Sequence, residues 1–326
     1  MSALPFLVSI VIPAHNHLAM TTNCIERTLA TCSGRRDVEI IVVDDASPEP
    51  LASLAALDER VQVVRTEANL GFAGACNLGA AQARGQFLIF LNNDTEPQDG
   101  WLAAMLRCAG ENQTVGIVGC RLLYADETVQ HAGIAFSQAD GEPRHIYRGF
   151  PGNHPAVVQT RHLQAVTGAC LLIRRTVFET LGGFDSTYEN GFEDVDLCLR
   201  AVQAGHAVIY SGEAAVSHLE AVSRRPDSSA PAGAESHNRS KFAERWAGAI
   251  RRDEVSLYAE DELIMFAADD IYPLRVTIAP ELASAIGEQT TAELAQLLNI
   301  RSRQVFDLEK EIGYLTARLL DHGIEA

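Results

Sequence analysis

The residues of this chain best suited to chemistry are carboxylates carried at the ends of apolar runs. Asn92, Asn93 and Asp94 directly follow the run FLIFL at 87–91, so a buried strand would deliver Asp94 to the edge of a sheet. Mg2+ or Mn2+ binds one or two carboxylates together with substrate phosphates, so a single Asp94 suffices where a diphosphate completes the shell. A polar turn capping a helix that begins near Pro97 explains the same three residues. Glu193 and Asp194 stand at the predicted start of a helix over 194–204, where the macrodipole favours ionised carboxylates and keeps a base deprotonated. The alternative there is plain capping by Asp194, with Asp196 and Arg200 as a surface pair.

Two further clusters fit the same chemistry. Asp44 and Asp45 end an apolar run, and a carboxylate there could read the ring N–H of a uracil or thymine; an Asx-type turn using Asp45 and Ser47 is the competing account. The segment NLGFAGACNLGAA sets Asn69, Gly71, Gly74, Asn77 and Gly79 at a helix start, where small residues let a ligand approach the backbone and the two amides could contact it. Packing of the helix through its small residues is the alternative. The glycines do not make G-x-G-x-x-G and they follow the third strand, which argues against a dinucleotide fingerprint and a nicotinamide-dependent oxidoreductase. Downstream, VSHLEAVSRR offers His218 as a second cation ligand, with Ser223, Arg224 and Arg225 beside it in an acidic chain. A structural histidine fits equally.

These groups need a scaffold, and the apolar pattern predicts one. Strand-like runs at 7–12, 38–43, 61–65, 87–91 and 115–118 alternate with helical stretches in a βαβ rhythm. Continuous rather than alternating apolar runs imply strands covered on both faces, hence a mostly parallel sheet with crossover helices and a ligand edge at the strands' carboxyl ends. Residues 120–165 read as an irregular excursion with short strands that could shape an acceptor cleft. A strand over 169–173 and a helix over 176–181 follow, and 224–236 is a breaker-rich segment placed to act as a lid. Beyond Tyr272 the pattern turns helical: Leu294, Leu298, Val305, Leu308, Ile312, Leu315 and Leu319 keep three-and-four spacing, interrupted by Arg301. This stripe predicts either a coiled coil joining two copies or a helical appendage packed on its own domain.

Composition narrows the classes. The net charge of −17 excludes a general nucleic-acid binder, which needs clustered cations against phosphates. No apolar run approaches the roughly 20 residues that span a bilayer. No basic stretch or cleavage site marks a secretory signal, so the expected location is cytoplasmic, with peripheral membrane association left open. Seven scattered cysteines without a Cys-x-x-Cys pair read as small core residues.

Taken in order, VSIVIPAHN, VVDDAS, NLGFAGACNLG, FLNND, TGACLLIRR, GGFDSTYENGFEDVDLCLR, H-x4-S and NRSKFAERW resemble the family 2 glycosyltransferases of the GT-A fold, nearest the branch with bacterial rhamnosyltransferases. The resemblance spans about 7–246 and implies an α/β GT-A domain over 1–250, Rossmann-like with a mostly parallel central sheet and flanking helices. It leaves 251–326 as a C-terminal helical extension. It implies an inverting transferase moving a sugar from a UDP- or dTDP-sugar, dTDP-rhamnose among them, to a hydroxyl of a glycan or lipid-linked acceptor in bacterial cell-surface glycan synthesis. It implies Asp194 as base, Asp94 and His218 as ligands to Mg2+ or Mn2+, and Asp44 as the pyrimidine contact. Pro13, Asn16, Asn69, Gly71, Asn77, Asn92 and Asn93 would meet the donor, while Gly168, Glu193, Ser223 and Arg224 would meet acceptor or diphosphate. Asn92 stands where relatives carry the first acid of D-x-D, giving an N-N-D variant with fewer fixed charges. A catalytically silent nucleotide-sugar-binding scaffold acting through its helical tail is the competing class; it would need neither Asp94 nor Asp194.

Overall fold

The runs VSIVIPA, VEIIVVD and FLIFL form strands because both of their faces find apolar cover. In the computed structural model, Leu88, Ile89, Phe90 and Leu91 are wholly buried. Each such side chain contributes about 1.5–3 kcal/mol when taken from water. The structure describes residues 7–219, 234–267 and 275–321.

The first half runs β1 (Val8–Ala14), α1 (Leu18–Thr31), β2 (Val38–Asp44), β3 (Val61–Arg65), α2 (Gly71–Gln82), β4 (Phe87–Leu91), β5 (Thr95–Pro97), α3 (Trp101–Glu111) and β6 (Val115–Leu123). Short strands follow: β7 (Val129–His131), β8 (Ile134–Phe136), β9 (Pro143–His145) and β10 (Arg161–Leu163). Then come β11 (Cys170–Arg174), α4 (Arg175–Leu181), α5 (Glu193–Gln203), β12 (Ala207–His218) and α6 (Ala234–Trp246). The central sheet has the order β10-β12-β6-β11-β4-β1-β2-β3, with β5 also on β12 and β7 on β6. It is mixed and mostly parallel: β3, β2, β1 and β4 run together, as do β6 and β12, and β11 lies antiparallel between the two sets. The parallel set sends the ends of β1, β2 and β4 to one edge, where the chemistry-bearing residues gather.

Several local expectations change. The helix expected near Pro97 begins at Trp101, because 95–97 pairs with β12 instead. His218 is the last residue of the twelve-residue β12. That strand continues past AVIYS through an irregularity at 212–214, which absorbs the polar Gly212 and Glu213, and then resumes its pairing with β6. Residues 234–236 open α6, and the rest of the expected lid, with Ser223, Arg224 and Arg225, lies outside the described residues. All seven cysteines are buried and free. Burial pushes the Cys24 thiol up to about 12, so it behaves as an apolar filler.

The chain divides into two compact units, 1–136 with 143–251, and 137–142 with 252–326. The second unit contains α7 (Glu254–Glu260), the antiparallel pair β13 (Ile264–Ala267) and β14 (Arg275–Ile278), α8 (Pro280–Ile286) and α9 (Glu288–Asp321). The expected C-terminal helices are present, and with them an antiparallel pair in which Arg275–Ile278 lies beside Ile264–Ala267. Of the apolar stripe on α9, Leu298 is buried while Val305 and Leu308 are exposed. The side chains of Ile312, Leu315 and Leu319 lie outside the described set. No described helix is long and apolar enough to cross a membrane.

Candidate active site

Asp94 lies three residues past β4 and His218 closes β12. The pairing of Thr95 with His218 in the β5–β12 ladder brings the two side chains together. Asp94 Oδ1 and His218 Nε2 are 3.0 Å apart, in a setting where both residues are buried. Gln130 on β7 places its Oε1 2.5 Å from His218 Nδ1, so Nδ1 carries the proton and donates to it. Nε2 then turns a lone pair toward a carboxylate oxygen. Two electron-rich atoms at that distance need either a proton on Nε2 or a cation shared between them. Metal-bound histidines hold their other ring nitrogen by this kind of bond, so the pair fits a divalent cation. Among the described residues no group of three or more His, Cys, Asp or Glu gathers around a cation-sized site. Further ligands would come from the donor's phosphates and water, as Mg2+ and Mn2+ accept.

Asp194 occupies the first turn of α5, half-buried. Its Oδ2 accepts the Gly168 N–H at 2.7 Å and its Oδ1 the Val195 N–H at 2.8 Å. Each carboxylate oxygen keeps acceptor capacity, and no cation neutralises the group among the described residues. Gly168 thus meets the acid rather than standing apart as a substrate contact, and a Cβ there would crowd both Asp194 and Phe72. Glu193 is buried beside it, with Oε2 accepting the Gly191 N–H at 2.5 Å. Burial, reinforced by the negative charge of Asp194, pushes the Glu193 carboxyl up to about 8. The expected Asp196–Arg200 surface pair is interior: Asp196 is wholly buried, bound by Arg200 at 2.7 Å and by the Trp246 indole at 3.0 Å.

On the nucleotide side two expectations are corrected. Asp44 was expected to read a base, but it is wholly buried and accepts from Ser47 N, Leu51 N and Arg65 Nη1, the last at 2.5 Å. Burial raises its pKa, and these hydrogen bonds overcome that and hold the carboxyl below its ordinary range. Asp44 is a strut for the turn after β2. Asn77 was expected at the donor; instead its amide bonds both the N–H and the C=O of Phe184, at 2.9 Å each. Gly79 belongs to packing as well, since a Cβ there would collide with Val11.

The remaining residues expected at the donor lie at the ends of β1, β3 and β4. Asn16 stands at φ 64°, its N–H bound to Ser47 Oγ. Asn69 bonds Gly71 N through Oδ1 and approaches His15. Gly71 has φ 68°, a conformation glycine adopts freely. Asn93 donates to Thr21 Oγ1 at 3.0 Å. Pro13 is half-buried in β1, and the side-chain amides of Asn16 and Asn92 make no hydrogen bond among the described residues. Asp45, read with Ser47 as an Asx-type turn, instead takes the Leu70 and Gly71 N–H groups on its carboxylate and so moulds this loop, while Ser47 N goes to Asp44. Sequence reading missed Gln130 and His131, two polar residues in the apolar stretch VQHAGIAF, a signal that could have exposed them. His131 is neutral, because burial and the neighbouring His145 and His218 hold its pKa well below 6.5.

Residues 9–182 match the family model of glycosyl transferase family 2. The chain belongs to that family. Similar proteins include the O-antigen biosynthesis protein RfbC of Myxococcus xanthus, 33% identical over 68% of this chain and 18% of its own length. The Mycobacterium tuberculosis N-acetylglucosaminyl-diphospho-decaprenol L-rhamnosyltransferase is 28% identical over 69% of this chain and 81% of its own. An uncharacterized protein, y4gI of Sinorhizobium fredii, is 33% identical over 67% of this chain. The chain spans only 25% of y4gI and 18% of RfbC. Among solved structures, GalNAc-T7 with UDP, GalNAc and Mn2+ superposes with TM-score 0.59 at 17% identity, covering 75% of this chain and 49% of its own. The mannosyltransferase PcManGT from Pyrobaculum calidifontis, in complex with GDP-Man and Mn2+, gives 0.52 at 16%, covering 93% and 88%. The fold of this family 2 chain is therefore GT-A. The family match ends at 182, before α5, so Asp194 stands on its geometry.

Proposed function

We propose that this protein is an inverting glycosyltransferase that moves a sugar from a nucleotide-diphospho-sugar to an acceptor hydroxyl in bacterial cell-surface glycan synthesis. The observation that carries the reading is the presence at one sheet edge of the buried Asp94–His218 pair and of Asp194, which no cation neutralises among the described residues. A UDP- or dTDP-sugar is the expected donor class, dTDP-rhamnose included, and a lipid-linked glycan the acceptor class. The rhamnosyltransferase relative, named for a diphospho-decaprenol substrate, supports both.

Asp194 accepts the proton of the acceptor hydroxyl as its oxygen attacks the anomeric carbon opposite the departing nucleoside diphosphate. The bond from that carbon to the diphosphate oxygen breaks, its electron pair leaves with the oxygen, and the configuration inverts. Gly168 fixes the acid's direction, and Glu193, holding its proton at neutral pH, spares Asp194 a second adjacent charge. Asp94 and His218 would hold Mg2+ or Mn2+, with Gln130 orienting the imidazole. When bound, the cation supplies positive charge against the leaving phosphate oxygen. The donor lies over Pro13, Asn16, Asn69, Gly71, Asn92 and Asn93, with Ser223 and Arg224 assigned to the diphosphate. α9 joins two copies through its exposed apolar residues, with a concentration-dependent mass as its check.

The test is a screen of UDP-, dTDP- and GDP-sugars with Mn2+ or Mg2+, reading nucleotide release. Release is expected from at least one pyrimidine donor and is lost with EDTA. Binding of a donor without release under any condition would overturn the reading in favour of a silent scaffold.

A further inference from the structure

The three residues before α5 all have positive φ, and this turn sits directly beside the proposed base. Asn190, Gly191 and Phe192 have φ of 52°, 154° and 73° in succession. Asparagine and glycine tolerate positive φ, whereas a phenylalanine there is held only when its surroundings over-determine it. Phe192 is also the residue preceding the helix and offers no side-chain cap. Something outside the turn must hold it.

The holder is α6. Asn238 is almost fully buried, and its whole amide is spent on the turn: Oδ1 accepts the Glu189 N–H at 3.1 Å, and Nδ2 donates to the carbonyls of Glu189 at 3.0 Å and Gly191 at 3.1 Å. One turn on, the Phe242 ring packs on Phe192 with centroids 5.1 Å apart. Lys241 ties down Asp185 at 3.0 Å, and Trp246 reaches Asp196 on α5. These residues recur at three- and four-residue spacing, so one face of α6 grips the segment 185–196 along its length. From the other side, Asn190 Oδ1 accepts the Phe72 N–H at 3.2 Å, in the first turn of α2, next to the loop that Asp45 moulds.

Resting on the reading of Asp194 as base, we infer that Asn238 is a positioning residue for Asp194. It holds the left-handed turn that aims the carboxylate, and Asn190 links that aim to the donor loop. Neither asparagine touches the reacting atoms. Removing Asn238 releases the turn toward ordinary backbone angles and swings the start of α5, and a base displaced by about 1 Å loses on the order of a hundredfold in rate.

The experiment uses the full chain and the donor that the wild type turns over in the nucleotide-sugar screen. Asn238→Ala is expected to lower kcat about 10- to 100-fold with KM for the donor within twofold, and to speed amide hydrogen exchange in 189–197 while leaving 8–14 and 87–94 protected. Because Asn238 is buried, Asn190→Gly serves as the second variant; it is exposed, keeps a backbone at ease with positive φ, and should cost about three- to tenfold in kcat alone. Unchanged exchange in 189–197, or donor KM rising in step with the loss of kcat, overturns the inference. Asp194→Asn run alongside separates the two claims: if it stays active the base assignment fails, and if it is dead while both asparagine variants match wild type, only the positioning role fails.

Discussion

Asp44 and Asp194 are both acids at the ends of secondary-structure elements on the same sheet edge, and they have opposite fates. Asp44 is wholly buried and takes two backbone N–H groups and an arginine. Asp194 is half-buried and takes one backbone N–H on each oxygen, with no cation beside it among the described residues. A carboxylate whose lone pairs and charge are consumed internally stabilises the fold. One that is aimed but left unneutralised can take a proton. Asp45, with its carboxylate on the Leu70 and Gly71 N–H groups, is of the first kind, and the Asn77 amide is likewise spent inside, on Phe184.

The contrast is sharpest for Asp194→Asn. It should cut transfer about a thousandfold or more while donor affinity, measured by calorimetry, stays within threefold. Comparable loss of affinity would place the residue among the donor contacts instead. Next, His218→Ala and Asp94→Ala should each lower metal-stimulated nucleotide release about a hundredfold and raise the Mn2+ concentration needed for half activity. Gln130→Ala should do the same more weakly, by about tenfold, since it acts through the imidazole.

On the other side of the comparison, Asp44→Ala should cost about 3 kcal/mol in chemical denaturation, because buried N–H groups of Ser47 and Leu51 lose their acceptor. The donor affinity of molecules that remain folded should change little. If instead affinity collapses at unchanged stability, Asp44 reads the base after all.

The smallest effect concerns Glu193, whose folded pKa of about 8 exceeds its ordinary 4.5. Between those values the folded state holds a proton that the unfolded chain has released, so this group's stabilisation is full below about 4.5 and is lost as pH rises through 8. Glu193→Gln should flatten that decline and exceed wild-type stability at pH 9 by on the order of 2 kcal/mol, read as a melting temperature against pH. A parallel decline in the variant would remove Glu193 as its source.

Much of the scaffold was legible because continuous apolar runs leave few alternatives: β1, β2, β3, β4 and β11 fall where their hydrophobicity places them. The second half of β12 was hidden by Gly212 and Glu213, and β5 by its three-residue length. Asp94 and His218 were legible by residue type, and the structure brings them to 3.0 Å. What pattern could not reveal was which motif residues spend themselves inside. The partner of Asn77 is Phe184, 107 positions away, and the holder of His218 is Gln130, 88 positions away. Such long-range pairings leave no local periodicity, so a ligand contact and a strut look alike until the chain is folded.

The irregularity at 212–214 in β12 has one more consequence. Because side chains alternate faces along a strand, the number of residues between Ser211 and His218 decides whether the imidazole meets Asp94 or points away from it. The strand works as a ruler with a fixed count of marks. Substitutions along it can be forgiving, but a single inserted or deleted residue would turn the last mark through half a revolution and dismantle the pair without touching either member.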